Sequence, residues 1–409
     1  MYTILLIGMA ENFIKYTQHR EDIRFVVIEE EDLFYANNCE CIRYNNLVGV
    51  YIGKYMHSTE CISIARKLNR EIKIDAVIPG RDYAVETATA IADDLGVNSL
   101  GMGAAKALTN KFVLRNTCSK GNINQPLYSK ISSIQELKKF CMKNKRVIFK
   151  PSNRQASLGI SLITDNSNIL EAYEYTTSAD EDKRRIAKRE FKKEYIAEQY
   201  IDGEEYSTEL LIFDKRILFS NITKKDTMED SFVELQHLVP GDVYLSQIEV
   251  RALEEQMNNL VSVLDVKSGI LHAEWKMNNG IPYLIECAGR IPGDYICRLI
   301  SLAYDMNFYE ETINIYLGLL SEYNENPIKY AMNRYFTAKA GKLVEINGKE
   351  KLDTERVIQY NINYSIGEEV PEVKSSWERM GNFIIVNNRI EELEKQKKNI
   401  LDDVSFKTI

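Results

Sequence analysis

The sequence is short of the residues that build metal cages and disulfide frameworks. Four histidines, His19, His57, His237 and His272, are dispersed along 409 residues. Seven cysteines, an odd number, are scattered through an acidic chain. That excludes a disulfide scaffold and fits a reducing compartment. The one tight pair, Cys39 and Cys41, has no second pair to complete a zinc site and reads as ordinary strand-edge thiols. No apolar run approaches the ~20 residues that cross a bilayer, the longest falling at residues 2–9 and 25–28. No basic segment leads into a long apolar stretch with a small-residue cleavage site. The expectation is a cytoplasmic protein with no membrane contact. Concentrated positive charge is also missing: the formal net charge is −8, and the basic stretch 183–193 is interleaved with acids like a solvated helix face. No nucleic-acid partner is expected. No biased tract argues for disorder.

What is present is alternation of strand and helix patterns in a chain too long for one hydrophobic core. Apolar runs at 2–9 and 24–29, the second ending in the acids 29–32, read as buried parallel strands. A third run, 74–78, breaks at Pro79-Gly80 and leads into a helical pattern over 83–95 that Gly96 stops. This predicts an open parallel α/β domain over residues 1–107. A lone Gly8 after the first strand gives no GxGxxG, so no dinucleotide fingerprint is present. Beyond residue 108 comes a helix carrying Lys111 and Arg115, a helix over 134–143, and a strand over 146–150 ending at Pro151. A long charged helix over 168–193 and strands over 194–200 and 205–213 follow. Two more strands, 269–277 and 281–287, form a hairpin through Asn278-Asn279-Gly280. The last part has short strands punctuated by Gly341, Gly348, Gly367 and Gly381, then a charged helix over 390–400. It reads as a small β-rich appendage.

Two carboxylates sit on facing strands of that hairpin, Glu274 in HAEWK and Glu286 in LIECAGR. Carboxylates that converge across a sheet repel unless a cation lies between them, and a hard cation with phosphate partners needs such oxygens; Mg²⁺ is the natural occupant. Arg290 follows Glu286 by four residues and opens the loop Ile291-Pro292-Gly293-Asp294. Backbone amides and a guanidinium can converge there on an oxyanion, with a salt bridge to Glu286 as the alternative use of the arginine. Lys150 closes an apolar strand and aims an ammonium beyond the sheet edge, where a nucleotide phosphate would satisfy it. The polar loop 152–159 behind it carries a single glycine.

In order along the chain, TNKFVLR, VIFKPSNRQASLGI, AEQYIDGEEYSTEL, FVELQHLVP, GILHAEWKM and LIECAGRIPGD resemble the successive motifs of ATP-grasp carboxylate–amine ligases, in particular the L-amino-acid ligase group. The resemblance covers residues 75–305. It implies an α/β and α+β multidomain fold: an open parallel pre-ATP-grasp domain (1–107), an ATP-grasp small subdomain with its phosphate loop (108–192), a large subdomain with the metal site (193–310), and a β-rich C-terminal cap (311–409). GKLVEINGKE, YSIGEEV and ERMGNFIIVNN resemble the cap of the biotin-carboxylase-like branch. By the resemblance Lys111, Lys150 and Ser157 hold ATP phosphates. Glu198 with the backbone of Tyr200 and Ile201 meets adenine, and Glu205 takes the ribose hydroxyls. Glu274 and Glu286 bind two Mg²⁺ ions, with Mn²⁺ as a substitute. Arg290 and Gly293 stabilise the acyl phosphate and tetrahedral intermediate, while Glu234, His237, His272 and Asp294 face the substrates.

Two departures stand out: Ala288 where many members have asparagine, and the glycine-poor phosphate loop. The implied reaction joins a carboxylate to an amine with ATP and Mg²⁺. Its partners are small molecules; a homodimer, a carrier-protein or antibiotic-precursor acceptor, and a noncatalytic nucleotide-binding role stay open.

Overall fold

The computed structural model describes residues 1–56, 58–154, 158–179, 192–228 and 233–409. Its N-terminal part is a parallel sheet of β1 (Tyr2–Ile7), β2 (Ile23–Glu29), β3 (Leu47–Ile52) and β4 (Ala76–Pro79), ordered β3-β2-β1-β4. Ile4 of β1 pairs with Phe25 on one side and Ala76 on the other. β1, β2 and β4 are buried on both faces, which is why their sequences are continuous apolar runs rather than alternating ones. β3 was not anticipated; it is a half-exposed edge strand with a weak pattern. The helix Val85–Leu95 ends where Gly96 adopts a φ of +69°, a left-handed conformation that glycine enters without steric cost.

A small antiparallel sheet follows, made of β5 (Tyr128–Ile131), β6 (Val147–Pro151), β7 (Ser161–Ile163) and β8 (Tyr195–Gln199), in the order β5-β8-β6-β7. The helix expected over 168–193 runs from Ile169 to Ser178, capped by the Asn168 side chain. Residues 180–191 lie outside the described residues, and Lys192 and Lys193 are not helical.

The central sheet is built from β9 (Glu204–Phe213), β10 (Arg216–Thr227), β11 (Glu234–Val239), β12 (Gly269–Asn278), β13 (Ile281–Ala288) and β14 (Tyr330–Phe336). The remaining strands are β15 (Gly341–Asn347), β16 (Val357–Ile362), β17 (Glu369–Val370), β18 (Gly381–Asn387) and β19 (Ser405–Thr408). Eight of these strands form one antiparallel sheet, β13-β12-β9-β10-β11-β14-β18-β16, while β17-β15-β19 make a separate three-stranded sheet. The C-terminal strands are therefore sewn into the central sheet at β11, and they carry the end of the chain back to the cavity described below. The helix Gln247–Leu264 packs Leu253, Met257, Leu260 and Leu264 under the central sheet. A Ser246–Glu249 capping box starts it, satisfying amides that the first turn leaves unpaired. No described helix is long and apolar enough to cross a membrane.

Candidate active site

A cavity of about 700 Å³ opens between the two halves of the central region, roofed by the small sheet and floored by β9–β13. The carboxyl ends of β1 and β4 form its far wall, the place where open α/β sheets present ligand-binding loops. The cap contributes Ser376, Trp377 and Arg379. Its lining includes the apolar residues Pro126, Ile148, Leu158, Ile201 and Ile285.

The hairpin registers Glu274 directly against Glu286, which brings two carboxylates to neighbouring positions on one face. Lys225 on β10 donates to Glu274 at 2.5 Å, and His272 Nε2 lies 3.5 Å away. Burial alone would raise Glu274, but Lys225 and His272 outweigh it and hold the carboxyl well below its usual range. Glu286 is reached by Lys111 at 2.8 Å, and the same ammonium donates to the Arg154 carbonyl at 2.7 Å. Among the described residues no three His, Cys, Asp or Glu side chains converge as a cage. Two carboxylates without a third protein ligand among the described residues fit Mg²⁺, a cation that keeps its remaining positions for water and substrate phosphate.

Lys150 and Glu198 are almost wholly buried. Lys150 Nζ lies 2.7 Å from one carboxylate oxygen of Glu198, and Arg115 Nε donates to the other at 2.8 Å. Arg115 in turn spends its two η nitrogens on the carbonyls of Leu284 and Ile285 in β13. Burial pulls Lys150 below the usual lysine range. For Glu198, burial works the other way, but Arg115 and Lys150 prevail and hold it at about 2. Glu198, expected near adenine, lines the cavity with its carboxylate engaged by two cations, so the side chain fixes Lys150. Glu198→Ala is expected to lower stability by about 3–5 kcal/mol, because it strands two buried cations. A urea midpoint equal to that of the parent protein would refute this.

Tyr200 lines the cavity too. Its backbone N–H donates to the Arg146 carbonyl at 2.9 Å, and Arg146 and Lys276 lie 3.9 and 4.7 Å from the centre of its ring. Ile201 lines the cavity, as does Glu205, which pairs with Lys276 at 3.2 Å. Ser157 lies outside the described residues.

Arg290 lines the cavity and does not bridge to Glu286. Its Nε and Nη2 grip both oxygens of Asp82, at 2.9 and 2.8 Å, from the loop after β4. Nothing lies within 4 Å of where a Cβ at Gly293 would stand, so that glycine faces open cavity.

Of the four expected substrate contacts, all line the cavity, but three are committed to protein partners. His272 Nδ1 bonds the fully buried Glu209 at 2.9 Å. Burial disfavours its charge, yet Glu209 and Glu274 raise it above the usual histidine range, and the ring lies between those two carboxylates. Asp294 is held by Arg379 through a two-point pair at 2.5 and 3.1 Å. Burial opposes ionisation there, and Arg379 overcomes it, bringing Asp294 to about 2. Glu234 accepts from Ser376 Oγ at 3.0 Å and from Lys225 at 3.4 Å. His237 differs: burial lowers it to about 4, and its buried Nδ1 has no partner among the described residues. It is a neutral imidazole at neutral pH.

Sequence reasoning missed Arg81, Asp82, Lys225, Glu209 and Arg379. Arg81 and Asp82 had a usable signal, a charged pair directly after the Pro79-Gly80 break that ends a parallel strand. Lys225 and Glu209 sit in strands with no distinguishing local pattern, and Arg379 reaches the cavity only because the C-terminal strands join the central sheet.

Comparison with known families agrees with this geometry. Residues 143–298 match the ATP-grasp domain, and residues 334–408 match the L-amino acid ligase C-terminal domain 2. The chain carries an ATP-grasp domain followed by an L-amino acid ligase C-terminal domain. Its relatives include the L-arginine-specific L-amino acid ligase of Bacillus subtilis, 22% identical over 309 residues that cover 74% of this chain and 72% of that one. The dapdiamide A synthase of Enterobacter agglomerans is 25% identical over 235 residues, covering 54% of this chain and about half (51%) of that protein. Among solved structures, an L-amino acid ligase from Bacillus licheniformis superposes with a TM-score of 0.81 at 17% identity, covering 100% of this chain and 99% of that one. A phosphoribosylglycinamide synthetase from Anaerococcus prevotii gives 0.71 at 15% identity over the full length of both.

Proposed function

We propose that this chain is an ADP-forming ligase that activates the carboxylate of an amino acid as an acyl phosphate and joins it to an amine, forming an amide or peptide bond. The observation that carries the reading is the convergence, in one cavity, of the Glu274–Glu286 pair, Lys111, Lys150 and the Asp82-held Arg290. The relatives' activities support it, and on this reading the chain divides into the four units 1–107, 108–192, 193–310 and 311–409.

The apolar residues of the cavity lining take adenine, Ile201 among them, with Glu205 toward the ribose. Lys111 and Lys150 meet the phosphates, and Glu198 holds Lys150 in place. Glu274 and Glu286 hold two Mg²⁺ ions, for which Mn²⁺ can substitute; bound there, the metal neutralises charge on the transferring phosphoryl group. A carboxylate oxygen attacks the γ-phosphorus and ADP leaves. Carboxylate oxygen is a poor leaving group and phosphate a good one, so the amine nitrogen can then attack the carbonyl carbon and expel phosphate. Arg290 and the open space at Gly293 receive the oxyanion that develops between these steps. Asp82 keeps the guanidinium in one orientation, so little reorganisation is needed at the moment of reaction. Glu234, His237 and Asp294 shape the substrate end, and the reaction runs in the cytoplasm.

The test is phosphate release from ATP and Mg²⁺ across a matrix of amino acids, singly and in pairs, with products weighed by mass spectrometry. Release that requires a particular pair, with a product equal to the pair less water, supports the ligase. Absence of release from every pair and every single amino acid, despite ATP binding, counts against it.

A further inference from the structure

Among the described residues lining the cavity, Arg81 is a cation whose charge is poorly spent. Arg290 and Arg379 are each committed to a two-point aspartate pair. Lys111, Lys150, Lys225 and Lys276 each have a carboxylate oxygen between 2.5 and 3.2 Å away. Arg81 lines the same cavity with 31% of its side chain exposed, and only its Nε is engaged, 3.4 Å from Glu29. No hydrogen bond occupies its two η nitrogens among the described residues. Glu29, fully buried, takes shorter bonds of 2.8 Å from the Met9 and Glu30 amides.

Arg81 is nevertheless held in place. Its stem lies across Gly8, where a Cβ would come within 3.0 Å of Arg81 Cγ, and the φ of +80° there suits glycine. A Cβ at Gly80 would meet the Gly8 carbonyl oxygen at 2.1 Å, so the two loops at the ends of β1 and β4 are closely apposed. A fixed guanidinium with a free fork facing a cavity is suited to a carboxylate.

We propose that Arg81 binds the free α-carboxylate of the amine-donating substrate, which is therefore an α-amino acid rather than a simple amine. The inference rests on the ligase reading above. An α-amino acid acceptor keeps its own carboxylate ionised throughout the reaction, and that charge needs a partner inside the cavity. The carboxylate carbon is two bonds from the attacking nitrogen, so its anchor must stand beside the oxyanion site. Arg81 and Arg290 line the same cavity, and Asp82, the chain neighbour of Arg81, grips Arg290.

Wild type, Arg81→Ala and Arg81→Lys are compared with an acceptor amino acid and with its carboxamide, which lacks the charge. Carboxylate activation is read separately by trapping the acyl phosphate with hydroxylamine as a hydroxamate. The expected result is that Arg81→Ala raises the acceptor KM roughly ten- to a hundredfold, the scale of a charge-assisted bond. Hydroxamate formation stays within about twofold, and the preference for acid over amide disappears. Arg81→Lys falls between, confirming a role for charge in a protein that still folds. Equal losses for acid and amide, or a loss confined to the donor KM, would overturn the assignment. Absence of hydroxamate from the wild type would remove the ligase reading itself, and this inference with it.

Discussion

Glu286→Gln is expected to yield a folded protein whose phosphate release falls by at least about 10³-fold, on the scale of groups that neutralise charge in phosphoryl transfer. Folding should survive because the Glu286 side chain is 37% exposed, so an amide of the same shape buries no new polar group. Activity should not survive. The amide has no charge to offer a cation, while its register partner Glu274 is already paired with Lys225. Glu286 is therefore the more open of the two carboxylates to a metal. The variant also releases Lys111 from its 2.8 Å partner, so ATP affinity should change little or even rise. Thermal unfolding establishes folding and a phosphate assay establishes rate. Activity near the parent level in a folded Glu286→Gln protein would remove the metal assignment.

Arg290→Ala is expected to lower turnover by about 10²–10³-fold, the cost of deleting one preorganised oxyanion donor, while nucleotide affinity stays close to that of the parent protein. The separation follows from position: Arg290 stands with Asp82 at the β4 end of the cavity, away from the cluster Lys150–Glu198–Arg115. Lysine should rescue poorly, since a single ammonium cannot reproduce the two-point grip on Asp82 and still point toward substrate. Fluorescent-nucleotide titration alongside initial rates separates the two effects. Equal losses in affinity and rate would instead mark Arg290 as a nucleotide ligand.

Much of this was legible in the sequence because the decisive features are local. Continuous apolar runs revealed β1, β2 and β4, whose burial on both faces leaves no alternation to read. Asn278-Asn279-Gly280 revealed the hairpin, and the hairpin alone made neighbours of Glu274 and Glu286. What stayed hidden depends on long-range pairing. Glu198, Glu234 and Asp294 look like ligands in sequence because they are charged residues beside family motifs. Their cations, Arg115, Lys225 and Arg379, arrive from other elements, and only the assembled sheet shows that these charges are already met. Glu209 reads as an ordinary strand residue until Ser207, Asn221, Thr223 and His272 are seen to donate to it. The helix Gln247–Leu264 could have been found from Ser246 and Glu249, a capping box in plain view.

The central claim is that a substrate carboxylate is phosphorylated before the amine attacks. With the amino-acid pair identified by the substrate matrix, the donor is labelled with ¹⁸O in its carboxylate and the released phosphate is weighed. The account predicts that one ¹⁸O passes into inorganic phosphate for each amide formed, with ADP as the other product. Unlabelled phosphate, or label carried into AMP, would contradict it.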